Sequence, residues 1–395
     1  MREWLQDPAT RSRLRGSLYA GALGDALGAK TEFDSIDRIR EIAGPAGITG
    51  LIPAYGGLGR ITDDTQMTLF TLEGLIRAHF SGRREQGTFT TGRRQQGTFA
   101  TGRRQQGTFA TAATAPQVEQ SLQLAYQRWL HTQGVSWERA RGPENTSTEP
   151  DGWLITNREL FSRRAPGLTC FSELEAYGKT GVRAGMDKPV NNSKGCGGIM
   201  RAAPVALWSD DLAEVFRLGA ESAALTHGHP SGYLSSGAFA VIVHELLRGK
   251  PLLDAVTTAR AELEKYPGHE EQSVALDQAL ALAEEGPPTP EKLETLGQGN
   301  IGETALSMSV YVALTTTDPN VALLASVNHS GDSDSTGSVC GNLVGAMYGE
   351  EELETSWLVE LELSEVIGQL ADDALAEFGG NAPGDDRWYA RYPAH

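Results

Sequence analysis

The chain has 395 residues, 39% hydrophobic and 22% charged, with a formal net charge of −17. That length and apolar content suffice for a large globular core, and the acidity argues against a nucleic-acid or anionic-membrane partner while leaving bound cations compatible. Three scattered cysteines, Cys170, Cys196 and Cys340, give neither a disulfide framework nor a zinc-ligand spacing. The opening "MREWLQDPATRSRLRG" has no apolar leader, and no run of about 18 apolar residues suggests a membrane span, so a cytoplasmic protein is expected.

In chain order, the first strong helical pattern is "TQMTLFTLEGLIRAHF" (65–80), with apolar positions at Met67, Leu69, Phe70, Leu72, Leu75 and Ile76. Residues 82–111 then repeat a decapeptide three times, as "GRREQGTFTT" and two copies of "GRRQQGTFAT". Each unit holds one large apolar residue (Phe89, Phe99, Phe109), too little for a core, so a low-complexity surface insertion is expected. Its six arginines and one glutamate also suit a docking arm for an acidic surface. A further helix is expected over 116–132, and 135–160 reads as irregular and polar. "DLAEVFRLGAESAALTHG" (211–228) starts with acids and ends in His and Gly, as a helix does. "GYLSSGAFAVIVHELLRG" (232–249) is apolar almost all round and predicts a central buried helix. Similar segments follow as far as Phe378, and 380–395 reads as a C-terminal tail. No period-2 strands interrupt them. The fold class is therefore all-α, a single domain over 1–395.

Two acid-rich loops carry the chemistry. "ITDDTQ" holds Thr62, Asp63, Asp64 and Thr65 at the start of a helix, and "GDSDSTG" holds Asp332, Asp334, Ser335 and Thr336 at the start of another. Either alone reads as a helix cap with acids at the favourable end of the dipole. Together they offer four carboxylates and adjacent hydroxyls, hard oxygen donors suited to Mg²⁺, Mn²⁺ or Ca²⁺. Four converging carboxylates repel unless cations lie between them. "GCGGIM" (195–200) is a Gly-rich stretch, expected to open an apolar helix ending near Trp208, whose backbone could approach a phosphate. His227 and His229, two apart, do not share a helix face and make a poor chelate. Cys196 has no base beside it in sequence and reads poorly as a nucleophile.

Five motifs occur in order: "GSLYAGALGDALGAKTEF", "ITDDTQMTLFTLEGL", "NNSKGCGGIMRAAPVAL", "LTHGHPSGYLSSGAFAVIVHELLRG" and "NHSGDSDSTGSVCGNLVGAMYG". In this the chain resembles the ADP-ribosylglycohydrolase family, from about residue 12 to 350. The resemblance implies a compact orthogonal helical bundle with two Mg²⁺ or Mn²⁺ ions at the base of a cleft. It implies the ligands Thr62, Asp63, Asp64, Asp332, Asp334 and Ser335, and the catalytic residues Glu32, Asp63 and Asp334. Asp25, Gly197, Gly198, Ile199, Met200 and His227 would touch substrate, with Asp25 near the ribose and the Gly-rich loop at the phosphates. "GQGNIGETAL" (297–306) resembles, more loosely, a late loop near the adenosine. The implied reaction is metal-dependent hydrolysis of the N-glycosidic bond from ADP-ribose to an acceptor, protein arginine first, by a monomer acting on ADP-ribosylated proteins or small molecules. A serine-linked adduct, a di-metal phosphohydrolase and a non-catalytic ADP-ribose binder are the alternatives.

Overall fold

Helix α1 (Pro8–Gly28) starts where Asp7 accepts a hydrogen bond from Ala9 N at 3.0 Å, with Pro8 in the first helical position. The structure, a computed structural model, describes residues 2–92 and 113–394. After α2 (Ile36–Ala43), capped by the Ser35 hydroxyl, comes α3 (Asp63–Gly92), which opens on the first acid loop. Helices α4 (Ala115–Thr132), α5 (Trp137–Ala140) and α6 (Leu168–Thr180) follow, then the pair α7 (Leu212–Ala224) and α8 (Pro230–Leu247). The set continues with α9 (Leu252–Leu263), α10 (Glu270–Glu284), α11 (Pro290–Leu296), α12 (Gly302–Thr315) and α13 (Pro319–Val327). It closes with α14 (Ser333–Tyr348), α15 (Thr355–Glu360), α16 (Ser364–Phe378) and α17 (Asp386–Arg391). Among the described residues there is no strand, only isolated bridges such as Gly195 with Ile301. The all-α expectation is met, and no described helix is long and apolar enough to cross a membrane.

The closest pairing joins α1 to α14. Both carry a small residue every fourth position: Gly16, Ala20, Gly24 and Gly28 on α1, and Gly337, Gly341 and Gly345 on α14. The helices run antiparallel with Gly16 against Gly345, Ala20 against Gly341, Gly24 against Gly337 and Gly28 against Ser333. A β-carbon on Gly24 would overlap the Gly337 carbonyl, and one on Gly341 would overlap that of Ala20. Backbone therefore lies on backbone, with no side chain between. Hydrogen bonds clasp the contact: Ser17 Oγ donates to Asn342 O at 2.9 Å, Asn342 Nδ2 to Ser17 O at 2.7 Å, and Ser333 Oγ to Gly28 O at 3.0 Å.

Three sequence expectations need amending. The "GCGGIM" stretch does not open an α-helix; it runs into two 3₁₀ turns, Ile199–Arg201 and Ala203–Leu207. Pro204 supplies no N–H and disfavours an α conformation at Ala203, which breaks the ladder there. Helix α3 does not end near 80 but continues through the first decapeptide to Gly92. His79 Nδ1 and Arg83 Nη2 tie that extension to Glu377 of α16, at 2.8 and 2.9 Å. The other two decapeptides lie outside the described residues, apart from Gly92. The segment after 380 is docked: Trp388 and Tyr392 are buried, and Tyr392 Oη donates to Asp373 Oδ2 at 2.7 Å. The expectation for α8 holds: only Pro230, Tyr233 and Glu245 in it escape full burial.

The α1–α14 contact leaves no room for side chains, so Gly341→Leu is expected to destabilise by at least about 3 kcal/mol, at the top of the overpacking range. Gly384→Ala, whose added methyl meets nothing within 4 Å, should stay within about 0.5 kcal/mol. Urea midpoints of the two variants check this.

Candidate active site

The α1–α14 ladder sets two chain ends side by side. At the end of α1 the chain turns through Thr31 and Glu32 to Phe33, whose N–H donates to Gly331 O at 2.7 Å. Phe33 is held at φ +61°, a left-handed conformation unusual for a bulky residue. At the start of α14, Asp332 caps the helix by accepting from Ser335 N at 3.2 Å. Glu32, Asp332 and Asp334 thereby bring one carboxylate oxygen each to within 4.8 Å of one another.

The start of α3 hangs from Asp25. This carboxylate, fully buried in α1, accepts from Thr62 N at 2.9 and 3.0 Å, from Thr65 N at 3.1 Å and from Thr65 Oγ1 at 2.5 Å. It satisfies donors that a helix N-terminus leaves unpaired. Just upstream, Glu362 is clamped by the guanidinium groups of Arg60 and Arg164 and accepts from Ile61 N at 3.3 Å. The loop is thus fixed from two sides. Asp63 Oδ2 accepts from Gly167 N at 3.1 Å, and Asp64 Oδ1 is buried with no hydrogen-bond partner.

These elements enclose a cavity of about 540 Å³, within the range of small-molecule sites. Its floor holds Glu32, Asp63, Asp64, Asp332 and Ser335. One wall holds Cys196, Gly197, Met200 and His227, and Phe33 and Leu168, both well exposed, stand at the mouth. Among the described residues none of the floor acids has a cationic side chain as ion-pair partner. Burial and then mutual repulsion push Asp64 and Asp334 well above the usual carboxylate range, and burial does the same to Asp63 despite the Gly167 bond. Burial, then Asp332 and Asp25, raise Glu32 to about 7. Hard oxygen donors in excess, one of them orphaned, are what a divalent cation fits. The acidic cluster can hold metal.

Not every residue singled out in the sequence reaches the cavity. Asp25 lies beneath the first loop, does not line the cavity, and supports the α3 terminus through its hydrogen bonds to Thr62 and Thr65. Gly198 and Ile199 are buried behind the wall; a β-carbon on Gly198 would stand 2.6 Å from Ala223 Cβ. Thr62 is buried at the edge of the acid cluster, 3.4 Å from Asp64 Oδ2. Asp334 meets Glu32 and Asp332 beneath the floor. The Cys196 thiol lies 3.1 Å from Asp332 Oδ2, and burial, reinforced by that carboxylate, holds it protonated, which disfavours nucleophilic use. Sequence reasoning missed Arg164, Glu362 and Gly167, whose partners are far away in the chain, and Arg201, which a lone charge in an apolar run could have flagged.

The model of a known family, described as ADP-ribosylglycohydrolase, matches residues 6–384. The chain belongs to the ADP-ribosylglycohydrolase family. Among curated relatives, the "ADP-ribosylhydrolase ARH3" of Bos taurus is 28% identical over 206 residues, 45% of this chain and 56% of that protein. The chain thus spans about half the length of the ARH3 proteins it matches. The "ADP-ribosyl-[dinitrogen reductase] glycohydrolase" of Rhodospirillum rubrum is 24% identical over 94% of this chain and 98% of its own length. A solved "ADP-ribosylglycohydrolase-related protein complex" shares the fold, with a TM-score of 0.59 at 21% identity, over 94% of this chain and 99% of that one.

Asp25→Asn would set an amide NH₂ against backbone donors that now meet a carboxylate. A loss of about 2–4 kcal/mol is expected, read as a lower urea midpoint. An unchanged midpoint would mean that the α3 terminus does not depend on Asp25.

Proposed function

We propose that this protein hydrolyses the glycosidic bond between the distal ribose C1 of ADP-ribose and an acceptor, with the guanidinium of protein arginine as the first-ranked acceptor. The observation that carries the reading is the convergence of Glu32, Asp63, Asp64, Asp332 and Asp334 at one cavity that a glycine-rich loop also lines. Carboxylates kept ionised by bound cations would stabilise positive charge developing on the ribose. Thr62, Asp63, Asp64, Asp332, Asp334 and Ser335 would hold two divalent ions, Mg²⁺ or Mn²⁺, which would supply charge neutralisation and water activation.

The chain's own groups do the rest. Glu32 is the least buried of the clustered acids, so it can reach the attacking water and take its proton. Asp63 and Asp334 stabilise the oxocarbenium-like transition state from below. Gly197 leaves room for the diphosphate, with Met200 and His227 beside it. A monomer in the cytoplasm acting on ADP-ribosylated proteins or small molecules is the setting proposed.

The deciding assay offers arginine-linked and serine-linked ADP-ribosyl substrates with Mg²⁺ or Mn²⁺ and identifies the product. Free ADP-ribose from the arginine adduct is expected. Serine preference would correct the acceptor, and phosphate release would replace the reading with a phosphohydrolase. Asp334→Asn should lower turnover by more than about 100-fold, because misplaced groups cost that much at a reacting centre. Metal at a hundredfold excess over Kd should add roughly 2.7 kcal/mol of stability to the native state. An unchanged melting temperature with both ions would remove the metal site. Deletion of 93–111 with a short Gly/Ser bridge should leave turnover on a small substrate within a few-fold, since loop length changes closure entropy by only about 0.6 kcal/mol per doubling.

A further inference from the structure

Behind the glycine-rich wall lies a guanidinium without an acid. Arg201 is fully buried, and among the described residues no carboxylate forms an ion pair with it. Its Nη1 donates to Cys170 Sγ at 3.2 Å, and its Nη2 to Ser222 O at 3.0 Å and Thr226 Oγ1 at 2.8 Å. Its Cζ lies 4.3 Å from the centre of the Tyr126 ring. A buried cation that forgoes a counter-ion is costly, and its charge acts on the neighbours that hold it. Thr226 Oγ1 stands 2.8 Å from His227 Nδ1, and His227 lines the cavity.

The donor inventory leaves two orientations of this chain, and distance and charge favour one. Arginine only donates, so Thr226 Oγ1 spends a lone pair on Arg201 and keeps one proton to place. His227 Nδ1 at 2.8 Å is nearer to it than the Ala223 carbonyl at 3.3 Å. A fixed positive charge on the Nδ1 side also favours a lone pair there over an N–H. We propose that Arg201, acting through Thr226, fixes His227 as its Nε2–H tautomer, so that a neutral imidazole donor faces an anionic oxygen of the substrate diphosphate. This rests on the reading of the cavity as an ADP-ribose site.

Two features support the diphosphate as the acceptor. The floor acids repel phosphate oxygens, whereas this wall offers an N–H backed by a buried cation. The imidazole is buried against glycine backbone that leaves its outer edge free of side chains: a β-carbon on Gly195 would stand 3.1 Å from His227 Nε2, and one on Gly197 3.0 Å from Cε1. Burial, and secondarily Arg201, lower the His227 pKa to about 3, so the ring is neutral in the physiological range. Arg201 and Thr226 are positioning residues, and only His227 meets the ligand.

The test is ¹⁵N-histidine NMR on the full chain, with His227→Gln used to assign the signal. In the wild type, His227 should show an unprotonated Nδ1 and a protonated Nε2, unchanged between about pH 8 and 6. Thr226→Val should give a mixture of tautomers and weaken ADP-ribose binding by about five- to tenfold, the worth of one hydrogen bond. Thr226→Ser should restore both. A protonated Nδ1 in the wild type would overturn the proposal. So would a folded Thr226→Val protein with wild-type spectrum and affinity. If Thr226→Val fails to fold, the wild-type spectrum decides alone. If the wild type shows the Nε2–H tautomer yet binds no ADP-ribose, the ligand reading falls while the Arg201–Thr226–His227 chain stands.

Discussion

The site depends on one contact, the backbone-to-backbone seam between α1 and α14. Its glycines carry no side chain to deform, so the axial register of the two helices is set by main-chain atoms. That register decides where Glu32, after α1, lies relative to Asp332 and Asp334, at the start of α14. Asp25, also on α1, then holds the start of α3 and with it Asp63 and Asp64. A single helix therefore references all the acids. Repelling carboxylates need such a frame, because flexible supports would let them drift apart.

The electrostatics divide the cavity in two. Acids without cationic partners form the floor, and a cation without an acidic partner lies behind the wall at Arg201. Each half is unfavourable alone. A ligand with positive charge at one end and a diphosphate at the other would complement both.

What was legible in the sequence was local. The two acid loops stand out because their carboxylates and hydroxyls are adjacent in sequence, and α8 because its apolar residues fill every face. What was hidden depends on long-range partners. Asp25 holds the α3 terminus through Thr62 and Thr65, about 40 residues away, a partnership that nothing in the local sequence marks. At Arg83 the extension of α3 is tied to Glu377, a partner that no periodicity in 82–91 announces. Gly197 of the glycine-rich stretch lines the cavity, while Pro204 sits in a 3₁₀ turn where a helix is expected, and Ile199 is buried.

The seam also orders events in time. Gly28 and Ser333, bonded across it, are 305 residues apart, and Ser17 and Asn342 are 325 apart. During synthesis at about 5–20 residues per second, α1 waits roughly 15–60 s for the helix it packs against. Until then its glycine-lined face has nothing to cover it, and the acids that will share a floor are still on separate parts of the chain. The active cavity is therefore among the last parts of the molecule to exist, and a nascent chain stalled before α14 has most of its helices but no floor.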